Sequence, residues 1–552
     1  MPRTALGAAW VAALLALWVY VQTLSPTVAW VNQGEDSGDL LAAAATLGIA
    51  HPTGYPLFVL LGRVASLVPF GATAFRINLV AALAGAASVF FLALLVLELA
   101  SPRREPGASE SPVDPGVPRP GASGIPALVA AFAAALAYAF SRGAWSQSVL
   151  AEVYTLNAAF LGAILWAAAR ADRTGSARHL ALAAFLLGLG LTNHLLLLAA
   201  GAAVFVAAVR LASRRSIGPF GIVLSLLLFV WGATLVLYLP IRALRVPEFS
   251  WGAPNTPERL WWVLSGAQYR NHFFGRGPAA IAGHLVPGRW LLDFGWALPA
   301  LAAGLAAAAW ARCRGLWPVL ATGAASLALL SVYSIPDDVG YWMPVFYVTC
   351  ALAGAGWALA AAHVRGSPLF RRVAGLALVS IVLFQAVHNY AAVDASGDVR
   401  PWVWAHRNLE AVEPNALVVS EYDGRTFALW FYEATEFRKT HPQLAVVYKY
   451  LLVWPWYQRH LARVYPTLAV PPYPGTMDAM MNRLIARNIR KRPVYLVRRD
   501  PALLSIFTLE PAGYPPDPLY KVALAAGVDS SDAVPGATSP RAPAATRPRG
   551  TR

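Results

Sequence analysis

Two short motifs in this chain carry residue types suited to moving protons. Glu35-Asp36-Ser37-Gly38-Asp39 gathers three carboxyl groups, and Ala50-His51-Pro52-Thr53-Gly54-Tyr55-Pro56 adds an imidazole and a phenol within a Pro/Gly-rich turn. Asp36 and Asp39 stand three residues apart, so a helical turn starting there puts both carboxylates on one side. Carboxylate and imidazole together are the common instruments of general acid–base chemistry. In a chain this apolar, such a cluster must offset a substantial desolvation cost.

Further polar residues punctuate the apolar runs. Arg76 and Asn78 open the second run, and Gln147, Glu152, Tyr154 and Asn157 surround the start of the fourth. Asn193 and His194 separate two short runs, Arg242 closes the seventh, and Trp251 and Gln268 follow it. Each has a plain structural alternative. Asp36 can be a loop acid or a helix cap, Asn193 and His194 can be caps, His51 can bond its own loop, and Arg242 can anchor to lipid phosphate. Tryptophans and tyrosines at run ends can form an interfacial belt. Convergence of so many separate segments on one face is what a shared site would produce.

The elements that must position these residues are membrane spans. The chain is 57% hydrophobic and only 13% charged, the composition of a polytopic membrane protein. Apolar runs at 5–23, 77–99, 125–140, 149–169, 180–191, 195–211, 220–240, 290–310, 316–334, 342–362 and 373–390 suggest about eleven transmembrane helices. Arg3, Arg103, Arg104, Arg170, Arg173, Arg214, Arg215, Arg312, Arg314, Arg371 and Arg372 then fall on one side, which the positive-inside rule makes cytoplasmic. The N terminus is thus expected inside, on an uncleaved first span, and the acidic motif and the C terminus outside. The net charge of +16 is assigned to these loops and to anionic lipid contact rather than to nucleic acid. Abundant arginine and alanine suggest a bacterial inner membrane.

A transmembrane domain is expected over residues 1–392, with a first outer loop at 25–75, a flexible cytoplasmic loop at 101–124 and an outer loop at 243–289. Residues 56–70 read as an interfacial or re-entrant helix. Short apolar strands at 417–420, 444–448 and 494–497 alternate with helices at 426–436, 457–465 and 477–490, which predicts a small extracytoplasmic α/β domain over 393–526. Residues 527–552 read as a disordered tail. Cys313 and Cys350 lie in or beside spans, so no disulfide framework is expected. P-loop, dinucleotide, zinc and Gly-x-Ser-x-Gly signatures are missing from the sequence.

Taken in order, Asp36-Ser37-Gly38-Asp39, Leu47 to Leu57, Arg76-Ile77-Asn78-Leu79, Glu152 to Asn157, Leu191-Thr192-Asn193-His194 and Tyr238 to Arg242 resemble the DUF2723 membrane proteins, a family that includes transmembrane protein O-mannosyltransferases. The resemblance runs from about Asp36 to Gln268. Asp39 stands where many relatives carry Glu, and Thr53 where a second proline is usual. The tetratricopeptide extension of some relatives is not visible.

The resemblance implies the GT-C glycosyltransferase architecture, with short helices and a catalytic acid in the first outer loop. An outward-facing site needs a lipid-carried donor, so the implied partners are a polyprenyl-phosphate sugar, membrane lipid and an extracytoplasmic protein or glycan acceptor. Asp36 is the expected base, with Glu35 and Asp39 as alternatives. Arg242 is the first candidate for the donor phosphate, helped by His51, Asn193 and His194. Tyr55, Arg76, Asn78, Glu152, Tyr154, Asn157, Trp251 and Gln268 complete the expected substrate-binding set. A divalent metal is not required. A transporter or flippase of polyprenyl-linked sugars would need a similar cavity, but would be expected to show paired broken helices in two related halves. A membrane scaffold is the third reading.

Overall fold

The computed structural model describes residues 3–101 and 124–526, apart from 276, 278–279, 282–284, 286–287, 312–315, 336, 364–367, 473–474, 501–502 and 504–505. Cys313, most of the expected 101–124 loop and the expected tail at 527–552 lie outside the described residues. Two compact units emerge: residues 1–403 with 430–435, and residues 404–429 with 436–552.

The first unit is helical. Seven helices are long and apolar enough to cross a bilayer: α1 (Arg3–Gln22), α4 (Thr73–Leu99), Leu195–Ser213 containing α9 (Leu198–Ser213), Pro219–Leu244 containing α10 (Pro219–Ala233) and α11 (Tyr238–Leu244), α13 (Gly288–Trp310), α15 (Val339–His363) and the bulk of α16 (Pro368–Val393). An eighth is formed if α5 (Ile125–Ala139) and α6 (Arg142–Ser148), bent by 68°, count as one broken span. The expected eleven are therefore not reached on length and composition. Two of the missing spans are short helices, α8 (Ala177–Leu191) and α14 (Leu316–Val332). The third, α7 (Tyr154–Thr174), starts five residues inside the expected 149–169 run and carries Arg170, Asp172 and Arg173 in its last turns.

The charges at the end of α7 are matched by packing. Glu98 at the end of α4 receives Arg170 at 3.0 Å and Arg173, while Asp172 receives Arg210 at 2.8 Å and Arg214 at 2.9 Å. Both acids are buried, so each needs these partners to avoid an uncompensated charge. Small residues let the helices approach closely, as membrane packing favours. A Cβ added at Gly232 of α10 would meet the Phe185 carbonyl of α8 at 2.5 Å, so only glycine fits that crossing.

The first loop holds two short helices, α2 (Ser37–Thr46) and α3 (Pro56–Ser66). Its entry strand is pinned by side chains. Asn78 Nδ2 donates to the carbonyls of Ser25 and Thr27 at 2.8 and 2.9 Å, and Asp398 Oδ2 accepts from the amides of Trp30 and Val31 at 2.8 and 3.1 Å. Beyond α2 the chain pairs with a distant segment: Ile49 N donates to Phe249 O at 2.8 Å, and Trp251 N to Ile49 O at 3.0 Å. Two residues past Ile49 stands His51, so this bridge delivers Trp251 to the first loop. Gly54 has φ +84°, and a Cβ there would meet Leu239 at 2.7 Å, which accounts for glycine in the turn.

The second unit is built on a five-stranded sheet of order β2-β1-β3-β5-β4. Strands β1 (Leu417–Ser420), β2 (Ala445–Tyr448) and β3 (Val494–Leu496) are parallel, with Leu417 opposite both Ala445 and Val494. All three are fully buried, the pattern of strands covered on both faces. A hairpin of β4 (Phe507–Ala512) and β5 (Leu519–Leu524) extends the sheet antiparallel to β3.

Candidate active site

Asp36 stands at the N-cap of α2, yet its side chain makes no capping bond. The helix-cap reading of this acid therefore does not describe it. Its backbone carbonyl starts the helix, accepting from Asp39 N at 3.1 Å and Leu40 N at 3.2 Å, and the carboxylate remains 42% exposed. Dense surrounding protein still desolvates it, which is the main cause raising its carboxyl above the ordinary range; His51 opposes this, and Asp39 and Glu35 add to it. A base raised toward neutrality is better matched to proton transfer at physiological pH.

Asp39, one helical turn on, is 1% exposed and wholly committed to His51. Its Oδ2 accepts from the His51 backbone amide at 2.9 Å and lies 2.8 Å from Nδ1. The other ring nitrogen of His51, Nε2, faces Asp36 Oδ2 at 3.7 Å. The predicted one-sided placement of the two carboxylates is thus realised around a single imidazole. Glu35 is exposed beside them.

An aromatic wall adjoins this trio. Tyr55 meets His51 edge-on, with centroids 4.9 Å apart, and stacks on His194 at 5.7 Å and 4°. Tyr154 and Tyr341 approach His194 at 5.3 and 6.0 Å, and Trp251 approaches His51 at 6.1 Å. Tyr55 adopts left-handed φ 46°, ψ 51°, a conformation that costs a non-glycine residue about 1–3 kcal/mol and is retained only when the surroundings dictate it. Gln268 Oε1 accepts from Trp251 Nε1 at 2.9 Å, fixing that indole. His194 is buried and its Nδ1 accepts from Leu196 N at 3.0 Å, capping a short turn; burial pushes its imidazole down to about 3, so it is neutral at physiological pH.

Glu152, just ahead of α7, is buried against the same space. Burial holds its carboxyl well above the ordinary range, reinforced by the charges of Asp36 and Asp337. Asp337, between α14 and α15, is pushed up to about 7 by burial and then by Asp36, Asp338 and Glu35, with Arg289 opposing. Its Oδ1 is buried with no hydrogen-bond partner among the described residues. Arg289 pairs with Asp293 at 2.9 Å and lies 4.0 Å from Asp338. Sequence reasoning missed Asp337, Tyr341 and Arg289. Paired acids in a short break between apolar runs were the available signal.

Other expected residues hold backbone around the recess. Asn193 Nδ2 donates to Val153 O at 2.9 Å, supporting the Glu152 segment, and Asn157 Oδ1 is buried without a hydrogen bond among the described residues. Asn78 pins the entry strand, as above. Arg76 donates to the Val68 and Ala72 carbonyls and to Thr73 Oγ1, closing the turn between α3 and α4. Arg242 Nε donates to Leu47 O at 2.7 Å, at the C-cap of α2. Among the described residues no group of three His, Cys, Asp or Glu side chains is arranged to hold a metal ion.

Comparison with known proteins places these features. Residues 36–216 match the family described as the Protein O-mannosyl-transferase TMEM260 N-terminal domain. The chain is 26% identical over 470 residues to the Mus musculus protein named Protein O-mannosyl-transferase TMEM260, covering 79% of this chain and 62% of that one. It therefore spans less than two thirds of that relative's length. A Dictyostelium discoideum protein of the same name is 35% identical over 81 residues, 14% of this chain and 9% of that one. Among solved structures, ArnT from Cupriavidus metallidurans bound to undecaprenyl phosphate superimposes with a TM-score of 0.54 at 12% identity, covering 96% of this chain and 99% of that one; its apo form gives 0.53. The resemblance read from the motifs is borne out over residues 36–216, and the fold is similar to that of ArnT, with a unit of apolar helices long enough to cross a membrane and a small C-terminal sheet unit.

Proposed function

We propose that this chain is a membrane glycosyltransferase that moves a sugar, mannose by kinship, from a polyprenyl-phosphate donor to a hydroxyl of an extracytoplasmic acceptor, a protein Ser or Thr. The observation that carries this reading is the Asp36 carboxylate, uncapped at the head of α2 and set beside His51, Tyr55 and buried acids, within the segment matched to the O-mannosyl-transferase domain. The fold shared with a protein solved with undecaprenyl phosphate supports the lipid donor.

In this reaction Asp36 accepts the proton of the incoming hydroxyl as its oxygen bonds to the anomeric carbon. The carbon–oxygen bond to phosphate breaks on the opposite face, and the electron pair leaves with the phosphate. A single displacement inverts the sugar. Arg242, whose Nε already holds the α2 terminus, turns its remaining guanidinium donors to the donor phosphate, where charge develops. Tyr55 and Trp251, both buried, enclose the His51 ring beside Asp36. The N terminus is cytoplasmic, and the recess and the sheet unit face the extracytoplasmic side of a bacterial inner membrane.

The test is incubation of purified protein with polyprenyl-phosphate mannose and Ser/Thr-containing periplasmic peptides, followed by mass spectrometry. A hexose added to peptide, abolished in Asp36→Asn, is the expected outcome. Lipid-linked sugar crossing vesicles without any transfer would instead establish a carrier.

A further inference from the structure

We infer that Asp39 and His51 form a positioning and proton-holding pair behind Asp36, so that the proton taken from the acceptor passes from Asp36 to His51 Nε2. The inference rests on the glycosyltransferase reading for its chemistry, but its geometry is independent of it. A buried carboxylate bound to both the backbone amide and the ring Nδ1 of one histidine fixes the ring's orientation and keeps the Nδ1 proton in place. Nε2 is then the nitrogen that can gain or lose a proton, and it is the one aimed at Asp36.

The 3.7 Å gap between Nε2 and Asp36 Oδ2 is too long for a hydrogen bond, yet short enough for a small side-chain movement to close. Once Asp36 is protonated, its O–H can close on Nε2. Transfer leaves an imidazolium whose charge is balanced by buried Asp39, and Asp36 returns to carboxylate. The proton then leaves to solvent, as the lipid phosphate carries away the electron pair of the broken bond. The groups facing His51 are suited to this. Asp36 and Asp39 flank it from α2, Tyr55 and Trp251 enclose it edge-on, neutral His194 stands behind Tyr55, Glu35 adds negative potential around Asp36, and the buried acids Glu152 and Asp337 stand nearby with raised carboxyls. Asp39 acts only through His51, so it is a positioning residue.

Two measurements on the full-length protein test the pair. Nitrogen-15 histidine spectra, with the His51 signal identified by its loss in His51→Gln, should show the Nδ1-protonated ring in wild type, and a change in tautomer or a lowered His51 pKa in Asp39→Asn. A wild-type ring protonated on Nε2 alone, or one unaffected by Asp39→Asn, would overturn the pair whether or not the protein transfers sugar. In the transfer assay, the acid limb of the wild-type rate profile should fall as two protonations, at Asp36 and His51, and that of His51→Gln as one. His51→Gln should lower kcat about tenfold or more, with donor affinity within about twofold. Unchanged kcat and slope would reject the relay. Loss of donor affinity with an unchanged slope would reduce the pair to a structural tie. Absence of transfer in wild type would sink the glycosyltransferase reading and the relay with it, leaving the spectra to decide the pair.

Discussion

Asp36 differs from its neighbours in what it does not do. It heads a helix without capping it, while Asp39 is consumed by His51 and Glu35 stands exposed. Replacing Asp36 with Asn should therefore leave folding and donor binding intact and lower transfer about 100- to 10,000-fold, the usual cost of removing a general base. Asp39→Asn should be milder and should act through the pH profile. Arg242 gives a second test at this scale. Arg242→Lys keeps a cation and one bond to Leu47 O but loses the fork, so donor affinity should fall partly, and Arg242→Ala should fall further. Equal donor affinity in all three proteins, measured by polyprenyl-phosphate titration, would return Arg242 to holding the helix end. Residue types exposed the acid–imidazole cluster in the sequence, because acids and histidine beside apolar runs are costly. They did not separate side chains that face the recess from those that hold backbone: Asn78, Asn193 and Arg76 carry the same polarity as Asp36 but donate to carbonyls.

The short helices of the first loop depend on such donors. Asn78 donates through one amide to the Ser25 carbonyl and, together with Ser25 Oγ at 3.0 Å, to that of Thr27, and both lie in a buried turn. Asn78→Ala should strip the Ser25 carbonyl of this donor, leave Thr27 with Ser25 Oγ alone, and destabilise the protein by about 1–3 kcal/mol, read as a lower unfolding temperature in detergent. Asn78→Asp should be no better, since it brings a buried charge and no donor. A variant as stable as wild type would mean the entry strand is held by Asp398 and the Ala29–Ser37 contacts instead. Elements with clear periodicity or composition were legible: α1, α4, the short α3, the three parallel strands and the helices between them. The Ile49–Ser250 bridge was not, since a two-residue pairing across two hundred positions leaves no periodic trace. The β4–β5 hairpin escaped because β4 contains Pro511, which demotes a run to an edge strand, and β4 is the edge of this sheet. The runs read as spans at α8 and α14 form apolar helices of 15 and 17 residues, because hydropathy reports composition and leaves helix ends unmarked.

At the scale of the whole molecule, burying acids around the recess ties stability to pH in a direction opposite to that of most proteins. An unfolded chain releases its aspartate and glutamate protons near pH 4. Folded Asp337 holds its proton up to about 7, and folded Glu152 is raised as well, both chiefly by burial. Between these limits the native state binds more protons than the unfolded one, so stability falls as pH rises. Stability contributed by the neutral acids is fully present below about pH 4 and is lost progressively as pH passes through 7. The buried acids should thus make the protein more heat-stable at pH 5.5 than at pH 8, and comparison with a variant isolates their share. Asp337→Asn supplies that comparison, since a neutral amide cannot titrate: it should flatten the decline between pH 5.5 and 8, with little change at the lower pH. Thermal unfolding at the two pH values measures this directly. An Asp337→Asn protein that keeps the full wild-type slope would show that Asp337 is not the titrating group, and would remove it from the recess that Asp36 shares with Glu152.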